Sequence, residues 1–354
     1  MVAVGLAEVG AADAGWAGGK AAALGELTRA GIGVPRGYVV SAAAFGLVMD
    51  AVDGAGALRG ALGSRPGDDL AGIARAAADL RARITAAPLP PEVATEISAG
   101  YQQLGAGPVA VRSSATMEDS LEASFAGLQD TYLAVQGDDA VLDRVRACWA
   151  SLYNDESVSY RRRQGFGEAG LAMGVIVQRM LSPRAAGVMF TRSPVTGDRS
   201  VVAIEGTWGL GSALVGGEVT PDSFTVSKVT GEITGRRVGA KLRVHSFKPN
   251  DNGITAQAMP AMLRHSACLT DDEARTLAQV GRQVEEHYGV PQDIEWALLG
   301  DSPGGPARHA EAADRIMLLQ SRPETVWAAR ERAPIARPLP RASDHVLARF
   351  RRPL

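Results

Sequence analysis

Two short segments near the C-terminal end carry polar side chains at strand spacing. In Asp293-Ile294-Glu295-Trp296 the carboxylates stand two apart, and in Leu319-Gln320-Ser321-Arg322 so do an amide and a guanidinium. Side chains two apart on a strand point the same way, so Asp293 and Glu295 share one face, as do Gln320 and Arg322. If the strands pair in matching register, two carboxylates, an amide oxygen and a guanidinium converge on one patch. Hard oxygen donors of this kind suit Mg²⁺ bridging phosphates, and Arg322 would hold a phosphate oxygen. The same residues equally describe a solvated polar sheet face with an ordinary salt bridge.

Other segments carry related chemistry. Gly18-Gly19-Lys20 opens a helical pattern, where backbone N–H groups and the positive dipole end favour an anion and Lys20 adds a charge. The spacing of a P-loop is absent, and a glycine turn beside a surface lysine is the plain alternative. Arg112-Ser113-Ser114 follows the apolar run Val109-Ala110-Val111, which puts a cation and two hydroxyls in a polar turn at a strand end. Gly127, within Phe125-Ala126-Gly127-Leu128, would let backbone approach a phosphate, with Thr131 nearby as a donor. Each of these is also ordinary loop chemistry. Gln178-Arg179-Met180 ends a strand whose backbone would meet an adenine edge, with Met180 on the ring or simply packed in the core. Glu205 closes an apolar strand as a carboxylate for a ribose, a metal or solvent.

Little else competes for a catalytic role. The histidines His245, His265, His287, His309 and His345 lie outside any Gly/Ser-rich loop, so structural or solvated roles are expected. Cys148 and Cys268 are isolated, and Cys148 beside Trp149 reads as a small core residue, consistent with a reducing cytoplasm.

These residues need a scaffold, and its elements are legible. Helices are expected over Lys20 to Ala30, Asp68 to Ala87, Asp139 to Tyr153 and Thr270 to Tyr288. In the second, Leu70, Ile73, Ala77, Leu80 and Ile84 share a face below an Asp68 or Asp69 cap. The last opens with a Thr270–Glu273 capping box and stops at Gly289. Strands are expected at Tyr38 to Val40, Val109 to Val111, Gly174 to Met180, Ala186 to Thr191, Val201 to Glu205, Gln292 to Leu299 and Arg315 to Arg322. A hairpin runs from Ser223 to Arg237 through Thr230-Gly231.

The result is an α+β protein with mixed or antiparallel sheets. Turn residues from Pro194 to Gly197 suggest a lobe boundary, giving lobes over 1–195 and 196–327 and an Arg/Pro-rich tail over 328–354 that reads as a docking segment. The 354 residues are 46% hydrophobic and 21% charged, enough apolar mass for two linked lobes. A net charge of −2 and only 5% aromatic residues point away from nucleic acid or an anionic membrane as partner. No apolar run approaches the roughly 18 residues of a membrane span, and the start lacks a secretory signal, so a soluble cytoplasmic protein is expected.

Taken in order, these segments resemble a known family. Gly18-Gly19-Lys20 with Leu24-Gly25-Glu26-Leu27, then Val34-Pro35-Arg36-Gly37-Tyr38, are similar to the opening of phosphoenolpyruvate synthase and pyruvate phosphate dikinase. So are Val109 to Asp119, Ala123 to Tyr132, Gly187-Val188-Met189-Phe190-Thr191, Trp208-Gly209-Leu210-Gly211 and Val219-Thr220-Pro221-Asp222. Gln292 to Ala297 and Gln320 to Thr325 complete the set, which spans roughly residues 15 to 327. Rifampin phosphotransferase and phenylphosphate synthase share the resemblance.

It implies an ATP-grasp fold with ATP in a cleft between two lobes. By motif match, Lys20, Arg112 and Arg322 would contact phosphates, and Gly127 and Thr131 would cover them. Gln178 and Met180 would line the adenine pocket and Glu205 would meet the ribose, while Glu295 and Gln320 would hold Mg²⁺ with Asp293 beside them. Family members also carry a swivelling domain whose histidine receives the phosphates, and no histidine here matches that carrier motif. The resemblance therefore implies the ATP-binding subunit of a split dikinase. A partner protein would carry the phosphohistidine and pass phosphate to a small-molecule acceptor. A domain excised from a longer enzyme and a non-catalytic ATP sensor are the alternatives.

Overall fold

A computed structural model describes residues 2–116, 130–168, 170–247, 253–300, 313–325 and 327. The first half runs through β1 (Ala3–Gly5), α1 (Ala14–Ala17), α2 (Gly19–Arg29), β2 (Gly37–Val40), α3 (Ala42–Asp53), α4 (Ala57–Gly63), α5 (Leu70–Ala86) and α6 (Pro91–Gln103). It continues with β3 (Val109–Ala115), β4 (Thr131–Val135), α7 (Asp138–Ala150), α8 (Asp155–Arg163) and β5 (Met173–Arg179). The second half holds β6 (Ala185–Phe190), β7 (Val201–Trp208), α9 (Ser212–Val215), β8 (Asp222–Ser227) and β9 (Ile233–Arg237). It ends with β10 (Arg243–Phe247), β11 (Ile254–Ala258), α10 (Asp271–Tyr288), β12 (Gln292–Leu298) and β13 (Ile316–Pro323). Gly127 and the tail over 328–354 lie outside the described residues.

Among the described residues, one sheet has the order β1-β2-β5-β3-β4 and a second the order β13-β12-β6-β7-β8-β9, with β10 and β11 as a separate hairpin. Neighbouring strands are antiparallel. The expected α+β class is therefore observed. The chain passes from one sheet to the other between Arg179 and Ala185. The turn at Pro194 to Gly197, expected as a lobe boundary, joins β6 to β7 within one sheet. No helix among the described residues is long and apolar enough to cross a membrane.

Helical periodicity places the cores. Ile73, Ala77, Leu80 and Ile84 of α5 join Val141, Val145 and Trp149 of α7 in a buried cluster beside the first sheet. Asp69 caps α5, accepting the Gly72 N–H at 2.9 Å. Leu70, expected on the inner face, is 72% exposed because it starts the helix before that face engages. On the second sheet, Ala274, Leu277 and Val284 of α10 pack with Met189, Ile204, Ile294 and Trp296. The Thr270–Glu273 capping box forms, and Gly289 closes α10 with φ +70°. Helix α2 serves both sheets, with Leu24 against Val39 and Ile176 and Leu27 in the α10 cluster.

One local expectation is corrected. Arg112-Ser113-Ser114 is not a turn but the interior of β3, buried along its whole length. Arg112 pairs with Ile176 of β5 on one side and Thr131 of β4 on the other, so the ladder satisfies its backbone. A polar run can continue a strand when its side chains find partners elsewhere.

Buried charges lock the second sheet. Asp222 and Lys241 are both fully buried and ion-paired, and Asp222 also accepts the N–H groups of Gly239 at 2.9 Å and Cys268 at 2.7 Å. Asp222→Asn would leave the Lys241 ammonium without its counter-charge. The expected cost is about 3–5 kcal/mol, read as a lower urea midpoint.

Glu273 takes Arg184 at 2.6 Å and Arg315 at 3.2 Å. Burial pulls its carboxyl upward, but the Thr270 N–H and the two guanidiniums outweigh this and hold it below the ordinary 4.5. A depressed carboxylate stabilises the fold fully above its unfolded value and loses that contribution as pH falls through the folded one. The stability gap between wild type and Glu273→Gln should therefore be full at neutral pH and shrink progressively below pH 4.5, measured by denaturant titration across that range.

Candidate functional site

The strand pair that opened the sequence reading has the required register. Asp293 stands opposite Arg322 and Glu295 opposite Gln320. Arg322 donates to Asp293 Oδ2 from Nε at 2.8 Å and from Nη2 at 2.6 Å. After Glu295 the register slips, and Trp296 pairs with Leu318. Leu319 is thus the extra residue of a β-bulge, a device that takes a residue out of the ladder. Its carbonyl accepts from Arg112 Nη1.

Arg112 arrives from the other sheet. The residue is 7% exposed, and its guanidinium also reaches Glu295 Oε2 at 3.3 Å and Gln320 Oε1 at 3.4 Å. Lys20 approaches the neighbouring β3 position, donating from Nζ to the Ser113 carbonyl at 3.0 Å. The residue that lets it come so close is Gly18, with φ +85° and ψ 157°. A Cβ there would lie 2.0 Å from the Ser114 carbonyl oxygen. With glycine in place, Ser114 Oγ accepts the Ala21 N–H at 3.0 Å and caps the first turn of α2 from outside the helix.

These groups line one cavity of about 800 Å³, within the usual range for small-molecule sites. Lys20, Arg112, Thr131, Gln178 and Met180 come to it from the first sheet and its flanks, and Asp293, Glu295, Gln320 and Arg322 from the second. Gln178 is almost fully buried and donates from Nε2 to the Pro35 carbonyl at 2.9 Å. The amides of Arg179 and Met180 already serve the carbonyls of Arg36 and Pro108, so the next amide along this wall is that of Leu181. Val188 and Phe190 of β6 supply apolar surface.

Glu205 is not among the lining residues. It pairs with Val188, which pairs with Glu295, so it shares their sheet face two strands away, at ~9.5 Å across the sheet. Sheet width separates it from the site. Sequence reading also passed over Ser212, which lines the cavity directly after Trp208-Gly209-Leu210-Gly211.

The Asp293 carboxylate is electrostatically strained. Burial raises the Asp293 carboxyl above its ordinary value against the pull of Arg322, and the charges of Glu295 and Glu324 add to the rise. Among the described residues no three His, Cys, Asp or Glu side chains form a metal cage. Two oxygen donors with added phosphate and water ligands suit Mg²⁺, which seldom takes an all-protein shell. Glu295 and Gln320 fit that role, with Asp293 beside them.

Residues 14–342 match the family described as pyruvate phosphate dikinase, AMP/ATP-binding domain. The chain is 41% identical over 325 residues to a probable phosphoenolpyruvate synthase of Methanothermobacter thermautotrophicus, covering 90% of this chain and 45% of that protein. It is 43% identical over 301 residues to a rifampicin phosphotransferase of a Streptomyces species, covering 84% and 34%. A rifampicin phosphotransferase of Bacillus subtilis is 36% identical, covering 96% and 37%. The chain thus spans less than half the length of these relatives.

The Gly18 geometry makes a sharp test. Its backbone conformation is essentially confined to glycine, and such strain costs about 1–3 kcal/mol before any clash. Gly18→Ala should lower the thermal midpoint clearly, while Gly15→Ala, with nothing within 4 Å of its added Cβ, should not.

Proposed function

Because this chain belongs to the pyruvate phosphate dikinase AMP/ATP-binding domain family, we propose that it binds Mg²⁺-ATP in the cavity and transfers the terminal diphosphate to a histidine on a partner protein, releasing AMP, after which water cleaves off the outer phosphate and leaves a phosphohistidine. The observation that carries this reading is the register of β12 and β13, which sets Asp293 against Arg322 and Glu295 against Gln320. Arg112 and Lys20 line the same cavity. Catalysis of phosphoryl transfer is mostly positioning and charge neutralisation, and these residue types supply both.

In this reading Lys20, Arg112 and Arg322 bind phosphate oxygens, with Thr131 beside them. Gln178 and Met180 line the base end. Glu295 and Gln320, with Asp293 beside them, hold Mg²⁺, which when bound neutralises charge on the phosphates. Arg112 meanwhile gives up Glu295 and Gln320 for a phosphate. The cation-binding oxygens and the anion-binding guanidinium neutralise one another until the nucleotide brings both missing charges.

Of the histidines, His245, His265 and His287 are described, and none of them lines the cavity. This supports an accepting histidine brought from outside the domain. Relatives of similar identity are named for different reactions, phosphoenolpyruvate synthase and rifampicin phosphotransferase. That supports a shared ATP step, with the final small-molecule acceptor chosen elsewhere.

The test is AMP formation from Mg²⁺-ATP by the full chain together with a protein carrying the phosphohistidine domain. Glu295→Ala and Arg322→Ala should each lower it by about two orders of magnitude or more. Near-normal turnover in both variants sinks the phosphate-end assignment.

A further inference from the structure

Ser212 lines the cavity, and the phosphate chemistry makes no use of it. Its Oγ lies 2.9 Å from Nδ1 of His245, a residue 33 positions away. The imidazole side chain is 13% exposed, and its Nε2 faces the Glu218 carboxylate at 3.4 Å, an electrostatic contact rather than a hydrogen bond. Backbone holds the pair together: the Leu210 N–H donates to the His245 carbonyl at 2.8 Å, and Gly209 bridges the same strand. Glu218 favours a proton on the ring nitrogen that faces it, which leaves Nδ1 as acceptor. The Ser212 O–H then donates to Nδ1, and its oxygen is left as an acceptor toward the cavity.

Position says what that acceptor would meet. The turn that carries Ser212 packs on the start of β6, where a Cβ on Gly211 would lie 3.7 Å from Ala186 Cβ and 4.0 Å from the Gly187 nitrogen. Farther along β6, Val188 pairs with Glu295 and Phe190 with Asp293. At ~3.4 Å per strand residue the turn stands roughly 3–7 Å short of Glu295 and roughly 10–14 Å short of Asp293. In the other direction Met180, Leu181 and Pro183 line the cavity just before β6 begins. Ser212 therefore sits between the base-lining wall and the phosphate-end cluster, and a nucleotide spanning those ends places its sugar there.

We propose that Ser212 recognises the ribose, its hydroxyl oxygen accepting a hydrogen bond from the 2′- or 3′-hydroxyl, with His245 as the positioning residue that orients it. This rests on the Mg²⁺-ATP reading above. It moves the sugar contact from Glu205, two strands away, to a residue on the cavity wall.

Calorimetric titration of the full chain with Mg²⁺ and ATP, 2′-deoxy-ATP or 3′-deoxy-ATP tests it. A neutral hydrogen bond of the usual strength makes wild type prefer ATP over one deoxy analogue by roughly 3–10-fold. Ser212→Ala should weaken ATP binding by that factor, leave the deoxy analogue unchanged and bring the ratio to about one, with the thermal midpoint retained. Ser212→Thr keeps the hydroxyl and should keep the preference. His245→Leu, which frees the hydroxyl to rotate, should reduce the ratio without loss of the deoxy analogue. Wild-type ATP binding with an undiminished ratio in both Ser212→Ala and His245→Leu overturns the ribose assignment alone. Absence of any ATP binding by wild type overturns the nucleotide reading with it.

Discussion

Arg112 leaves the five-stranded sheet from a strand buried at every position and ends against the six-stranded sheet, on the Leu319 carbonyl, Glu295 and Gln320. With its side chain only 8% exposed, Arg112 has lost most of its water, a penalty of several kcal/mol unless its donors are met. Here they are met by atoms of the other sheet. The approach of the two sheets and the placement of a cation in the cavity are thus one condition. Lys20 follows from it, because Gly18 lets α2 rest on Ser114, two residues along the same strand.

In the proposed Mg²⁺-ATP reading, the charges around Arg112 would let a metal–nucleotide pair exchange partners instead of stripping them. Arg322 holds Asp293, while Arg112 reaches Glu295. A nucleotide alone would draw the guanidinium from Glu295 and leave that carboxylate uncompensated; a cation alone would meet the guanidinium already in place. Together they satisfy both sides.

How much of this was legible in the sequence depended on range. The period-two pattern at Asp293 and Glu295, and at Gln320 and Arg322, showed which groups share a face, because strand alternation is local. The Thr270–Glu273 box and Gly289 marked the ends of α10 for the same reason. Arg112-Ser113-Ser114 read as a turn because a run of polar residues looks solvated until β4 and β5 are known to flank it. Glu205 lies in line with Glu295, yet nothing in the chain states how many strands separate them. Ser212 was missed because what distinguishes it is His245, which the hairpin strand β10 brings back from 33 positions away.

The bulge at Leu319 belongs to neither category, and it governs the whole contact. In an unbroken antiparallel ladder each carbonyl directed at the neighbouring strand is consumed by that strand. With Glu295 opposite Gln320 and Trp296 opposite Leu318, Leu319 falls out of the pairing on β13. Its carbonyl accepts from Arg112. Up to the slip, the alternation presents Asp293, Glu295, Gln320 and Arg322 on one face and Ile294 to the core; beyond it, Trp296 and Leu318 pack in the same core. One irregular residue thus ends the run of polar pairs and supplies the acceptor that ties Arg112 of one sheet to the other.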